Sequence, residues 1–341
     1  MLINTIFKAK TPMPSDDLPL TLILLDTWIL IKLSGIDAIQ YLHNQLTCDI
    51  KKLNSNQFSF SAYCNPSGKM ICNMYVFFMK KQEIAFIEPL NILEKQILTM
   101  QKYAVFSNVI ITPNYDTTMI GVTGKKARKY LNLFFNKLPD QKNTIIRYHD
   151  IILLYFNLPI ERFLLIITNK SLLNTLLKKF IYTPFSVYYN NYCQWVALDI
   201  ESGYPCIDLR TSELFLPQSA NMDSLQGLSF NKGCYLGQEI IAKTQYRQLN
   251  KQALYQLIAN YNQNEQMQPP IPGTRILMQN IYNNNNQLSK NVGIVLQSCL
   301  IQNHSIWIQA ILNTSIISNN HLYIQDNQTK NNLNFHTIIK K

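Results

Sequence analysis

Asn231-Lys232-Gly233-Cys234-Tyr235-Leu236-Gly237-Gln238-Glu239 places one cysteine between two glycines, with a lysine two residues before it. A helix-like run, Gln238 to Gln245, follows. Of the ten glycines in the chain, Gly227, Gly233 and Gly237 fall within eleven positions here. Glycine reaches backbone angles that other residues avoid, so the segment reads as a shaped loop. Two features could activate its thiol: a nearby ammonium, and the positive end of the following helix. A turn that merely contains a cysteine explains the same spacing. The loop alone leaves both readings open.

Outward from this loop, 341 residues are long for a single core, and two or three domains are expected. Apolar residues make up 47% and aromatics 11%, enough for packed cores. Residues 1–20 carry Pro12, Pro14, Asp16 and Asp17 and no continuous apolar run, so no secretory signal is read. Leu20–Leu33 contains Asp26 and is too short to span a bilayer, and Ile151–Ile167 is broken by Pro159, Glu161 and Arg162. A soluble, cytoplasmic protein is expected, with no membrane partner. The seven cysteines are odd in number, irregularly spaced and lack a CxxC pair. That argues against a disulfide framework and against a zinc or cluster site built by this chain alone. No metal site is expected. The net charge of +11 suggests an anionic partner such as RNA. However, 25 lysines against six arginines, amid abundant Asn and Ile, is also what an A/T-rich genome encodes. The tightest basic group, Lys125, Lys126, Arg128 and Lys129, reads equally as a solvated helix face.

Residues 20–33 read as one strand, and Gly35-Ile36-Asp37 opens a helix with Asp37 as N-cap. Phe58–Tyr63 and Met70–Met79 read as strands joined by the turn Asn65-Pro66-Ser67-Gly68-Lys69. A strand at Ile84–Ile87, a helix over Ile92–Tyr103 and a strand at Val105–Ile111 follow. From Met119 the order is strand 119–122, helix 125–136, strands 151–156 and 163–167, and helix 171–180. That is the order of a small ferredoxin-like unit. Beyond residue 250, short runs (Ala253–Ala259, Arg275–Met278, Val292–Gln297, Ile306–Ile311, His321–Ile324) suggest a small antiparallel barrel. The Asn283–Asn286 run reads as a loop tip.

None of the five histidines stands at metal-ligand spacing from another or in a recognisable triad, and neither GxGxxG nor a P-loop occurs. Hydrolase, mononuclear metal and nucleotide-cofactor readings are therefore unsupported. Trp28 and Trp195 each sit beside polar residues at the start of apolar runs. They can be core residues or the aromatic walls of a site for a flat heterocycle. Glu201, six residues after Trp195, could supply a carboxylate that accepts two adjacent N–H groups of such a ring.

Three segments carry a stronger signal: Trp195-Val196-Ala197-Leu198-Asp199-Ile200-Glu201-Ser202-Gly203-Tyr204-Pro205, then Phe215-Leu216-Pro217-Gln218, then Lys232 to Glu239. They closely resemble the YgfZ family, folate-binding proteins related to the glycine-cleavage aminomethyltransferase, or T-protein. The resemblance extends through Leu25-Asp26-Thr27-Trp28, Gln45-Leu46-Thr47, Gly68-Lys69-Met70, Lys102 to Ser107, Glu161-Arg162-Phe163 and Asn250 to Leu254. It weakens after about residue 270.

This resemblance implies an α+β fold: a T-protein-like three-domain ring with ferredoxin-like α+β units and a C-terminal antiparallel β-barrel. The divisions are 1–115, a folate-binding domain completed by 190–245; 116–189, a ferredoxin-like domain; and 246–341, the barrel. Tetrahydrofolate or a derivative is the implied cofactor, with Trp28 and Trp195 at folate-contact positions and Glu201 in the pterin-holding segment. Cys234 matches the signature thiol and Lys232 its lysine, as activator or as anchor for an anionic folate tail. The implied function is support of iron–sulfur enzyme assembly or repair, and through it thiolation of some tRNAs. Iron–sulfur client or assembly proteins would be partners, with tRNA an indirect one and the chain a monomer. An accessory role without classical turnover is expected. The alternatives are a folate-dependent one-carbon transferase and a direct tRNA-binding protein. One departure weighs against the transferase. The T-protein carries an aspartate just after its glycine-containing turn, where this chain has Cys72-Asn73. A smaller departure is Asn44, where related sequences often have glycine.

Overall fold

The computed structural model describes residues 2–80, 83–261, 268–279, 289–316, 321–325 and 332–341. The Asn283–Asn286 run lies outside them. Three sheets organise the chain. The first has five antiparallel strands in the order Ser59–Cys64, Met70–Lys80, Glu83–Pro89, Trp28–Ser34, Ile110–Asn114. Its side chains divide by the period of two that strand geometry imposes. Ile29, Ile31, Leu33, Met74, Val76, Ile84 and Phe86 pack beneath the helices Ala38–Gln45 and Leu93–Tyr103. Leu30, Phe60, Ala62, Tyr75, Phe77, Ala85 and Ile87 face the other way, into a central core. Both faces are buried, and so these strands read as continuous apolar runs.

The second sheet has six strands, ordered Tyr188–Asn190, Thr21–Leu24, Thr118–Thr123, Arg162–Ile167, Ile151–Phe156, Ile145–Tyr148. All pairs are antiparallel except Thr21–Leu24 with Tyr188–Asn190. Leu22, Val122, Leu153, Phe163 and Leu165 pack under the helices Ala127–Leu131 and Lys170–Ile181. Ile23, Met119, Leu154, Phe156, Leu164 and Ile166 join the same central core as the first sheet. That core is therefore shared between two sheets whose outer faces are each roofed by helices.

The run 20–33 corrects the sequence reading. It forms two strands, and they belong to different sheets. Leu25-Asp26-Thr27 turns between them, with the Trp28 N–H donating to the Leu25 carbonyl at 3.3 Å. Both halves are buried on both faces, so no change of period marks the break. The stretch 1–115 consequently cedes Thr21–Leu24 to the sheet formed by residues 116–189. That unit also gains the strand Ile145–Tyr148, and its first helix shrinks to Ala127–Leu131. The strand expected at Val105–Ile111 begins later, at Ile110. Asp37 holds the preceding loop in place of capping its own helix, its Oδ2 accepting from Asn108 N at 2.7 Å.

The third sheet has seven antiparallel strands, ordered Asn332–Asn334, His321–Gln325, Arg275–Gln279, Ser289–Ile301, Ser305–Asn313, Gln252–Asn260, Thr337–Lys340. Its two edge strands are joined in the chain by Phe335 and His336 alone, so the sheet must curl until its edges approach. Phe335 N donates to Leu322 O on one side, and His336 N to Ile258 O on the other. The result is a curled antiparallel half-barrel. The helix Tyr192–Ser202 wedges between it and the rest. Ala197 and Ile200 pack on Cys299, Ile301 and Trp307, while Trp195 and Leu198 enter the central core. No described helix is long and apolar enough to cross a membrane.

Candidate functional site

Residues 227–236 are stapled along residues 43–48 from a distant part of the chain. Thr47 Oγ1 donates to Gly227 O at 2.6 Å, Ser229 N to Thr47 O at 2.9 Å, and Leu236 N to Asn44 O at 3.1 Å. Lys232 completes the seam. Its Nζ donates to His43 O, to Leu46 O at 2.8 Å and to Cys48 O at 2.7 Å. A helix leaves its last carbonyls without partners, and the Lys232 ammonium satisfies those at the end of Ala38–Gln45 from outside. Burial pulls the Lys232 ammonium down to about 8, against the pull of Cys48 and Asp49. Lys232 thus cements the loop to the first sheet's helix.

One glycine of the signature loop brings it onto the turn 65–69. Gly237 has φ 81°, and a Cβ there would meet Asn65 O at 2.6 Å and Gly68 Cα at 2.9 Å. Gly233, by contrast, has open space around it. Between Gly233 and Gly237, Cys234 is exposed and free, and Tyr235 is buried. Cys234 lines a surface groove of about 870 Å³ together with His43, Gln45, Asp49, Lys51 and Lys52. His43 Nδ1 stands 3.5 Å from Asp49 Oδ1. Burial lowers the His43 proton affinity and Lys232 lowers it further. Asp49 opposes the shift and Lys51 adds to it. The imidazole is therefore neutral at neutral pH. Sequence reading did not connect His43 and Asp49 with Cys234, because no local spacing relates residues from such distant segments. Among the described residues no three His, Cys, Asp or Glu side chains gather as metal ligands.

Trp28 and Trp195 lie elsewhere, not in ring contact with each other but at two ends of one aromatic chain at the central core. Trp28 stacks on Tyr75 (6.0 Å, 14°), Tyr75 meets Phe156 edge-on at 5.1 Å, and Phe156 meets Trp195 edge-on at 5.6 Å. Trp28 is half-buried, whereas Trp195 is 1% exposed. The Arg162 guanidinium lies 4.4 Å from the Trp195 ring centroid and pairs with Asp199 at 2.7 Å. Both ions are inside the protein. Burial pushes the Asp199 carboxyl up, and Arg162 and the Trp195 N–H pull it back down. Trp195 Nε1 is turned to Asp199 but falls short of full hydrogen-bonding geometry. Arg162 and Asp199 lie within resembling segments but were not singled out, since a pair 37 residues apart has no sequence signal.

Glu201 shares a helix with Trp195 but turns to the amino-terminal segment. Its carboxylate accepts from Ser15 Oγ at 2.7 Å and from Ser15 N at 3.2 Å. At the turn 65–69, Cys72 is buried with its thiol pushed well up by burial. Asn73 holds the segment 205–207, donating to Pro205 O at 3.0 Å and accepting from Ile207 N at 3.2 Å. A carboxylate does reach this turn, from Glu213, but it accepts from Asn65 at 3.1 Å and pairs with Lys95 at 2.7 Å. Those two donors hold it below the usual carboxylate range.

The three sheets, the curled third sheet among them, define a T-protein-type fold. The crystal structure of glycine cleavage system aminomethyltransferase T from Bartonella henselae matches with a TM-score of 0.73 over 96% of this chain and 86% of that one. Identity is 13%, so this likeness is one of fold alone. No family model matches the chain. The tRNA-modifying protein YgfZ of Blochmanniella pennsylvanica is 51% identical over 98% of this chain and 100% of that protein. The protein of that name from Sodalis glossinidius is 39% identical over 94% of this chain and 93% of its own length. That from Yersinia enterocolitica is 38% identical over 96% and 94%. The chain belongs to the YgfZ family.

Proposed function

We propose that this protein serves tRNA modification as a folate-binding accessory to the assembly or repair of iron–sulfur enzymes. The observation that carries the reading is the 51% identity, over essentially the full length of both chains, to a protein named for tRNA modification. The aromatic chain supports the folate part. Trp28 offers a half-buried ring already parallel to Tyr75, and a flat heterocycle stacks on such a face. Trp195 closes the other end of the chain, with its indole N–H turned to Asp199. Glu201 fits less directly, because Ser15 already occupies its oxygens. When bound, tetrahydrofolate supplies a reduced pterin able to carry one-carbon groups. Trp28 and Trp195 hold it, and Arg162 with Asp199 fixes the floor beneath. The occupied state of Asn73 and Glu213 favours an accessory role over aminomethyl transfer, which needs a free acid or base near the reacting carbon.

Titration of tryptophan fluorescence with tetrahydrofolate tests this. Quenching is expected in the wild type, with a reduced share in Trp28→Phe. Trp195→Phe should weaken binding as well as remove signal. Absence of quenching by any folate would overturn the folate reading. Undiminished tRNA thiolation in cells lacking the protein would overturn the rest.

A further inference from the structure

Glu88 lies on the strand Glu83–Pro89 of the first sheet. By the period of two it shares the helix-covered face with Ile84 and Phe86, beneath the helix Leu93–Tyr103. It is 0% exposed, and neither carboxyl oxygen meets a hydrogen-bond donor. Its polar neighbours are Cys72, from the strand Met70–Lys80, and Gln96, from the helix, both fully buried. Neither reaches hydrogen-bonding geometry with it. Gln96 directs its Nε2 to the sulfurs of Met74, at 4.0 Å, and Met100, at 3.9 Å, and its Oε1 is unpaired as well. The two Glu88 oxygens and Gln96 Oε1 are thus acceptors inside one sheet–helix interface with nothing donating to them. A proton on Glu88 removes the buried charge and turns one acceptor into a donor. Burial accordingly pushes the Glu88 carboxyl well above its usual range, against the opposing pull of Cys72 and Gln96. On its other side the strand Trp28–Ser34 sets apolar Ile29 opposite Glu88. Cys64 is a second buried thiol close to Cys72, and Lys95, whose charge also reaches Cys72, turns to Glu213 at 2.7 Å.

We propose that Glu88 is a proton-held latch: protonated, it lets the helix Leu93–Tyr103 close on the first sheet, and loss of the proton releases the helix together with the turn 65–69. The link to the turn is a chain of polar contacts. Lys95, on the helix, pairs with Glu213, and Glu213 accepts from Asn65 Nδ2 at 3.1 Å. Asn65 holds the turn, its carbonyl accepting from Gly68 N at 2.9 Å and its side chain from Lys69 N at 3.0 Å. The signature loop rests on this turn at Gly237. The direction follows from proton linkage. When the helix is open, Glu88 is a wet carboxyl that ionises above about pH 4.5, whereas closed it keeps its proton to higher pH. Closure is therefore strongest below pH 4.5 and weakens as pH rises toward the closed-state value. Between those limits each pH unit favours the open form about 10-fold. This inference does not depend on folate binding, so either can fail alone.

Hydrogen exchange read by mass spectrometry on the full chain, across about pH 5–8, tests the latch against Glu88→Gln. Glutamine keeps the shape and cannot ionise, and Glu88→Met is a second variant without the titrating group. Taking the ratio of wild-type to variant exchange cancels the intrinsic effect of pH on amides. For peptides covering 93–103 the ratio should rise about 10-fold per pH unit, and peptides covering 65–69 should follow it. Lys95→Met should leave the response of the helix and abolish that of the turn. A helix ratio independent of pH would overturn the latch. An equal rise at equal rates throughout the strands Met70–Lys80 and Glu83–Pro89 would also overturn it, because the whole sheet would then be unfolding. A turn that responds unchanged in Lys95→Met would overturn the link through Glu213.

Discussion

Trp195 and Cys234 occupy regions that treat charge in opposite ways. Around Trp195 the Arg162–Asp199 pair is sealed under aromatic rings, and Arg162 Nε and Nη1 have no hydrogen-bond partner. Around Cys234 the charges of Lys51 and Lys52 are open to water, and only Lys232 has been drawn inside. A sealed pair governs stability, because removing one ion leaves the other stranded in a poor solvent. Open charges contribute little to stability, since water screens them, but they set which ligands arrive and how a thiol reacts. The two regions therefore separate holding the fold from meeting a ligand, although both belong to one family signature.

The largest expected break of this contrast is Arg162→Ala, which strands Asp199 and should cost about 3–5 kcal/mol in chemical denaturation. A double change, Arg162→Met with Asp199→Leu, should recover much of that loss. A cost below 1 kcal/mol for the single change would mean that water reaches the pair. Next comes Gly237→Ala. The added methyl meets Asn65 O in a left-handed backbone, so a loss of about 1–3 kcal/mol is expected. Cys234 alkylation kinetics should change with it, as the loop lifts from the turn 65–69. Lys232→Met probes the one cation drawn inside the seam. The Lys232 proton affinity is lowered on folding, to about 8, so below that pH the folded state bears the full cost of a desolvated ammonium. As pH rises from 8 toward 10.5 the unfolded chain holds more protons, and wild type should gain stability relative to Lys232→Met. Parallel pH profiles for the two proteins would show that the three carbonyls cancel the burial effect. The smallest expected effect is Gly233→Ala, within about 0.5 kcal/mol, because nothing lies near its Cβ.

Much of this contrast could be read from local pattern. The glycines of the signature loop announced a shaped segment, and the helix after it, Gln238–Tyr246, begins where expected. Five strands of the third sheet were legible from their spacing, whereas Asn332–Asn334 and Thr337–Lys340 are too short and polar to stand out. Trp28 and Trp195 were visible as candidates, but their shared aromatic chain was not. The helix that carries Trp195 passed unread, because its apolar residues face two cores at once and blur its period. Its local markers were the Asn191 cap, whose side chain accepts from Cys193 N at 3.2 Å, and Gly203, which ends it in the left-handed conformation.

By itself the sequence determined the family, the α+β character, the turn at residues 65–69 and the loop that exposes Cys234. These follow from short-range rules: glycine's backbone freedom, turn chemistry, and the alternation of strands. Only the tertiary structure decided that residues 20–33 serve two sheets, because a run buried on both faces carries no mark of where it changes partner. Only tertiary structure assigned Lys232 to the orphan carbonyls of a distant helix end, and put His43 and Asp49 on the same groove as Cys234. Hydrogen bonds and electrostatic fields depend on distance in space, and the chain brings together what its order keeps apart.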